Sequence, residues 1–151
     1  MGTRMQAVAI AIVLLGAGGC GLSGPNRSLE QFNEAKKLWD RENPANYAVT
    51  VQRFCFCIAV GPVRIVVQNR LVISRTIVST QAPLPANLHD LYPDIPGLFA
   101  TIKDAYTQAD AITVTFDPQY GFPSDATIDY IKNAVDDELS LRVSDFAIPP
   151  T

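Results

Sequence analysis

Six short stretches of this chain place apolar residues at every second position, a period that fits a strand with one face buried. Tyr47, Val49 and Val51 alternate with Ala48, Thr50 and Gln52, and the run continues through Arg53-Phe54-Cys55-Phe56-Cys57. A second stretch, 63–68, follows the turn at Gly61-Pro62, and a third, 71–78, is separated from it only by Asn69-Arg70. These three predict an antiparallel meander. Ile112, Val114 and Phe116, then Ala126, Ile128 and Tyr130, then Leu139, Leu141 and Val143 supply three more strands.

Two stretches with helical spacing interrupt the pattern. Ser28-Leu29-Glu30-Gln31 has the form of a capping box, Ser28 accepting from the Gln31 amide while the Gln31 side chain reaches back. Leu29, Phe32, Ala35 and Trp39 then predict one buried face of a helix running to about Arg41, before Pro44 forbids continuation. Asp94 and Pro96 open a second helix, with Leu98, Ile102, Ala105, Tyr106 and Ala109 on its buried face. Residues 80–96 carry Pro83, Pro85, Pro93 and Pro96, which predicts a connection across the surface. His89, the one histidine, falls there and reads as solvated. The order helix, three strands, helix, three strands predicts an α+β fold: two helix-plus-three-strand halves, an antiparallel sheet, and the helices packed on it.

Ahead of this pattern lies a segment of another kind. Met1–Gln6 holds one base, Arg4, and no acid; 7–15 is an unbroken apolar run; Gly16-Ala17-Gly18-Gly19-Cys20 closes it with small residues and a cysteine. The apolar run is shorter than the roughly 18–20 residues of a membrane-spanning helix and has the layout of a signal peptide. Ala17-Gly18-Gly19-Cys20 resembles a bacterial lipobox. That resemblance implies a leader over 1–19, a diacylglyceryl thioether and further acyl chains such as palmitate on Cys20, a tether over 20–27, and one domain over 28–148. The address implied is the cell envelope, with the chain held to a bacterial membrane and facing the periplasm or the cell exterior.

Charge excludes some functions. The chain is acidic, with a net charge of -3, so bulk attraction to nucleic acid is excluded. One histidine cannot build a multi-histidine metal site. The charge is also uneven: residues 20–85 hold eight bases against four acids, and 86–151 hold three against eleven. Solvated faces and internal pairing account for such a split, and a polarised binding surface is the functional alternative.

With Cys20 acylated, Cys55 and Cys57 remain as an even pair in an exported chain, the arithmetic of a disulfide. Residues two apart on a regular strand stand about 6.5–7 Å apart, while disulfide β-carbons lie within about 3.5–4.5 Å, so a bond needs a local kink such as a bulge near Arg53. Two reduced buried thiols, or a redox or Cu(I) site, are the other readings of the pair.

Phe116-Asp117-Pro118-Gln119-Tyr120-Gly121-Phe122-Pro123 reads as turn chemistry, with Asp117 bonding its own backbone and Gly121 free to take positive φ. Asp125, Asp129, Asp136, Asp137 and Glu138 follow as an acidic cluster that lacks the spacing of a calcium loop. A two-carboxylate hydrolase using Asp117, Asp129 or Asp137 ranks third among the functional readings. Together, Cys55-Phe56-Cys57, the Val-rich hairpin, the aromatic-Asp-Pro-x-Tyr-Gly-Phe-Pro motif with Asp117, Tyr120, Gly121, Phe122 and Pro123, and Asp136-Asp137-Glu138 resemble a family of uncharacterised bacterial lipoproteins, a domain of unknown function, over about 38–146. Where that family commonly has Tyr before the Asp and Gly in the first hairpin turn, this chain has Phe116 and Asn69-Arg70. No activity comes with the resemblance. The expectation is a noncatalytic binding or interaction module, lipid-anchored, with an envelope protein as partner, no nucleic acid, no cofactor, no metal and no catalytic set. The alternative is a thiol redox or soft-metal-handling protein using Cys55 and Cys57.

Overall fold

Alternation along the six strands sorts their side chains onto the two faces of one sheet. A computed structural model describes residues 25–134 and 136–148. In chain order the elements are α1 (Pro25–Glu42), β1 (Tyr47–Cys55), β2 (Val63–Gln68), β3 (Leu71–Ile77), a 3-10 helix (Ala86–Leu91), α2 (Ile95–Gln108), β4 (Ala111–Phe116), β5 (Pro123–Asp129) and β6 (Glu138–Ala147). The strands form one antiparallel sheet in the order β3-β2-β1-β6-β5-β4, so the fold is α+β. Val49, Val51, Val63, Ile65, Val67, Ala126, Ile128, Leu139, Leu141 and Val143 point to one face and are buried there with residues of both helices, Phe32, Trp39, Leu98, Phe99, Ile102 and Ala105 among them. The opposite face presents Gln52, Arg64, Ser74, Thr113, Thr115, Thr127, Ser140 and Arg142 and carries no helix among the described residues.

Aromatic rings join α1 to this core. Phe32 meets Phe99, Tyr106 and Phe116 edge-on, with centroids 5.6–6.4 Å apart, and Trp39 meets Tyr47, Phe122 and Phe146 at 5.5–6.4 Å. Edge-to-face pairs of this kind add about 0.5–1.5 kcal/mol each beyond burial. Leu29, expected on the buried stripe, is instead exposed, because the contact begins only at Phe32.

The start of α1 differs from the capping-box expectation. The helix begins at Pro25, so the last residues of the expected tether are helical. Proline is at home in a first helical turn, where its missing N–H has no partner to lose. Ser28 is therefore inside the helix, and its carbonyl accepts a hydrogen bond from the Tyr106 hydroxyl at 3.1 Å. The expected leader and Cys20 lie outside the described residues. At α2 the expectation holds: the Asp94 carboxylate accepts from the Gly97 amide at 3.1 Å.

The proline-rich connection over 80–96 is not a surface loop throughout. Leu84 and Tyr92 are buried, and the Leu84 amide bonds to the Arg75 carbonyl at 2.9 Å while Pro83 bridges Thr76, so the segment covers part of the β3 edge. His89 sits in the 3-10 helix with Nε2 3.1 Å from the Leu84 carbonyl. In the first hairpin Asn69 and Arg70 both take positive φ, 50° and 63°, the signature of a type I′ turn made without glycine. Bonds from outside the turn hold it: the Asn69 amide to the Asn46 side chain at 2.9 Å, and the Arg70 amide to the Ala45 carbonyl at 2.8 Å.

Gly121, in the β4–β5 connection, lies directly against the backbone of α1. Its φ is +78°, and a β-carbon there would overlap the Ala35 carbonyl oxygen and stand 3.0 Å from the Leu38 β-carbon. Both conditions demand glycine. Gly121→Ala is expected to cost more than about 2 kcal/mol by combining backbone strain with displacement of α1; a urea midpoint equal to the parent's would show that α1 does not need this contact.

Candidate functional site

The sequence-predicted residues fall at two opposite ends of the sheet. At one end β4 turns into β5. Asp117 Oδ1 accepts from the amides of Gln119 and Tyr120 at 2.9 and 2.7 Å, and the Asp117 amide bonds to the Phe122 carbonyl at 2.8 Å. Phe122 and Pro123 are buried, and Tyr120 packs against Phe146 with centroids 4.9 Å apart. Asp117, Tyr120, Gly121, Phe122 and Pro123 thus shape this corner and seat α1 on it.

Beside the corner lies a groove of about 1060 Å³ between α1 and the outermost strand, β4. Its α1 wall shows Glu30, Glu34, Lys37 and Arg41, and its other wall is Val114–Asp117. β4 reads Ala-Ile-Thr-Val-Thr-Phe and contains no charge or proline to blunt a free edge. The groove is invisible in the sequence, since Glu30 and Glu34 are separated from Val114 by some eighty residues.

At the other end, Cys55, Leu139, Ile128 and Ile112 form a row across β1, β6, β5 and β4. Just beyond it, Cys55 and Cys57 are joined as a disulfide with Cα atoms 5.1 Å apart. The kink that permits this is the end of β1 at Cys55, where residues 56 and 57 form a bend. The irregularity in β1–β6 pairing lies between Ala48 and Thr50, so the expected bulge near Arg53 is corrected. Arg53 points to the helix-covered side, and its Nε lies 3.3 Å from the Cys55 sulfur. Burial pulls the Arg53 pKa below its ordinary value. Phe56, between the two cysteines, and Ile58, just after them, are 81% and 76% exposed.

Asp129, Asp136, Asp137 and Glu138 share this second end, while Asp125 lies further along β5. Asp129 pairs with Ala111 and Glu138 in the sheet, the Asp137 carboxylate accepts from the Ile131 amide, and Asp136 takes positive φ. Among the described residues no three His, Cys, Asp or Glu are grouped to hold a metal ion. Asp117 and Asp129 stand at opposite ends of the β4–β5 ladder, about 20 Å apart along the strand, so these two carboxylates share no site. The charge imbalance becomes lateral: Arg64 of β2 and Arg75 of β3 lie at one side of the sheet, and Asp125 and Asp129 of β5 lie at the other. Several bases are engaged locally, Arg64 with the Asp145 carbonyl and Arg75 with that of Tyr92, at 2.5 and 3.0 Å. Arg142 pairs with Asp125 at 3.3 Å, and both are partly solvated.

Fold and ends together define a single-sheet α+β domain with helices on one face, a cross-linked apolar tip and a grooved edge. Residues 31–148 match a family of unknown function (DUF6174), and the chain belongs to that family. No curated protein and no solved structure matches it.

A disulfide closing so short a loop removes little entropy from the unfolded chain, about 1–2 kcal/mol. Cys55→Ser/Cys57→Ser is therefore expected to lower the unfolding free energy by no more than about 2 kcal/mol. Alkylation of the denatured, unreduced protein should add nothing to residues 55 and 57; mass increments on both would refute the bond.

Proposed function

We propose that this protein is a lipid-anchored component of a bacterial cell envelope that acts as a noncatalytic binding module, taking an extended segment of an envelope protein along the β4 edge. The leader over 1–19, acylation of Cys20 and a short tether belong to this reading, supported by the small-residue run ahead of Cys20. Two helix-plus-three-strand halves related by duplication belong to it too, supported by the element order and by two meanders placed side by side.

The groove carries the binding proposal. It sets an unpaired strand edge, whose N–H and C=O groups can add a strand, beside a helix wall bearing two acids and two bases that can read the partner's charges. Capture of a partner from detergent-solubilised envelope should be lost in Thr115→Lys, which blunts the edge, and weakened in Glu34→Lys. It should persist in Leu71→Ser, on the opposite edge of the sheet, and in Cys55→Ser/Cys57→Ser. Equal capture by all four variants would overturn the assignment. The anchor is tested separately by the intact mass of protein extracted from its native cells, which should begin at Cys20 and include acyl groups.

The Arg53 contact favours a second reading, thiol redox exchange. A guanidinium 3.3 Å from the Cys55 sulfur would stabilise a thiolate there once the bond is reduced. In glutathione buffers Arg53→Met should then make the disulfide harder to reduce, because the thiolate product loses its cation. An unchanged reduction equilibrium would leave the bond a structural one.

A further inference from the structure

We propose that the apolar tip formed by Phe54–Val60 and Ile131 rests in the interfacial layer of the membrane that holds the N-terminal lipid. The inference deepens the anchored-module reading and rests on it. Phe54-Cys55-Phe56-Cys57-Ile58-Ala59-Val60 is seven residues without a charge, apolar apart from the Cys55 sulfur that faces Arg53. Phe54, Phe56, Ile58 and Ile131 are all among the large apolar side chains exposed to solvent, at 45, 81, 76 and 60%. Phe54 at the end of β1, Phe56 and Ile58 just after it, and Ile131 just after β5 are gathered at one end of the sheet, and such side chains mark a contact surface rather than scatter.

The tip is also built to keep its shape. The disulfide fixes one side of it, and on the other the Val60 amide donates to the hydroxyl of Tyr92, a fully buried residue, at 3.1 Å. Ordering entropy that a flexible loop would lose on meeting a surface is thereby already spent.

The place where the described chain begins supplies the occupant. Ser28, in the first turn of α1, is tied to Tyr106 near the end of α2, and two residues after α2 the chain enters β4 at Ala111. Ala111 pairs with Asp129, Asp129 with Glu138, and Leu139 with Cys55. The start of α1 and the tip therefore lie at the same end of the sheet, with the tip three strand spacings, about 14 Å, in from the β4 edge. Cys20 precedes Pro25 by five residues, which span at most about 17 Å. A lipid on Cys20 brings this end of the domain, and no other, against the bilayer. Trp39, Tyr47 and the Asn69-Arg70 turn are at the far end.

Charge narrows the surface further. Asp129 and Asp137, with Glu138, flank the tip, so the contact suits zwitterionic headgroups, whose ammonium groups lie outermost, and is opposed by a strongly anionic leaflet. Aromatic and branched side chains at such a boundary gain burial without moving the backbone into hydrocarbon.

The experiment places a single reporter indole at the tip, Phe56→Trp, or at the far end, Leu71→Trp, a residue also exposed at 70%. Each variant is studied in two forms on phosphatidylcholine vesicles containing brominated acyl chains: the full chain as its native cells process it, and residues 21–151 held through an N-terminal hexahistidine tag on a nickel-chelating lipid. Buried Trp39 contributes the same background to both. The indole at position 56 should shift to the blue and be quenched by the brominated chains, the indole at 71 should not, and Ile58→Ser/Ile131→Ser should reduce quenching at 56 severalfold. Equal quenching at both positions, none at either, or quenching at 71 alone overturns the proposal. A native chain without acyl groups whose tagged form still quenches at 56 would sink the anchor reading and leave the tip standing.

Discussion

The contact of α1 with the β4–β5 corner is what the rest of the molecule depends on. Without it one face of the sheet would leave Phe116, Phe122 and Phe146 without the rings of Phe32 and Trp39. Backbone meets backbone there because residue 121 has no side chain, and the Asp117 carboxylate holds the corner in the shape that presents it. A stretch of sequence that looks like a signature of chemistry is, physically, a socket for a helix. The same docking leaves β4 outermost and creates the groove as the space between the helix and the strand it only partly covers.

The local part of this architecture was legible in the sequence. Alternation placed all six strands, and the short spacing at Asn69-Arg70 foretold a hairpin even though neither residue is glycine, because neighbours at Asn46 and Ala45 hold the strained turn. Asp94 and Pro96 announced α2 through their own chemistry. What escaped was nonlocal. Four prolines over 83–96 suggested a surface path, yet Tyr92 and Leu84 are pulled inward by a core that composition alone cannot locate. Phe99 lies one residue beyond the predicted stripe and is buried because Phe32 and Phe116 sit against it. The pairing of β1 with β6 joins residues some ninety positions apart and leaves no trace in periodicity.

The two cysteines show how little a pattern fixes without its surroundings. Their spacing allowed a bond, free thiols or a metal site, and regular strand geometry argued against the bond. Ending the strand at Cys55 removed that objection, and the nearby guanidinium and the outward Phe56 and Ile58 give the loop its character. A cross-link that adds little to global stability acts here chiefly on local shape.

The order of the strands has a consequence for how the molecule comes into being. The first strand and the last are neighbours at the centre of the sheet, so β6 is the piece that joins two otherwise separate ribbons. A chain emerging amino end first cannot close that seam until Glu138–Ala147 arrive, and each ribbon alone leaves Val51 without Val143 and Ile128 without Leu139. The central seam of the sheet is thus made by contacts some ninety positions apart, and it closes only after both ribbons have the residues to form.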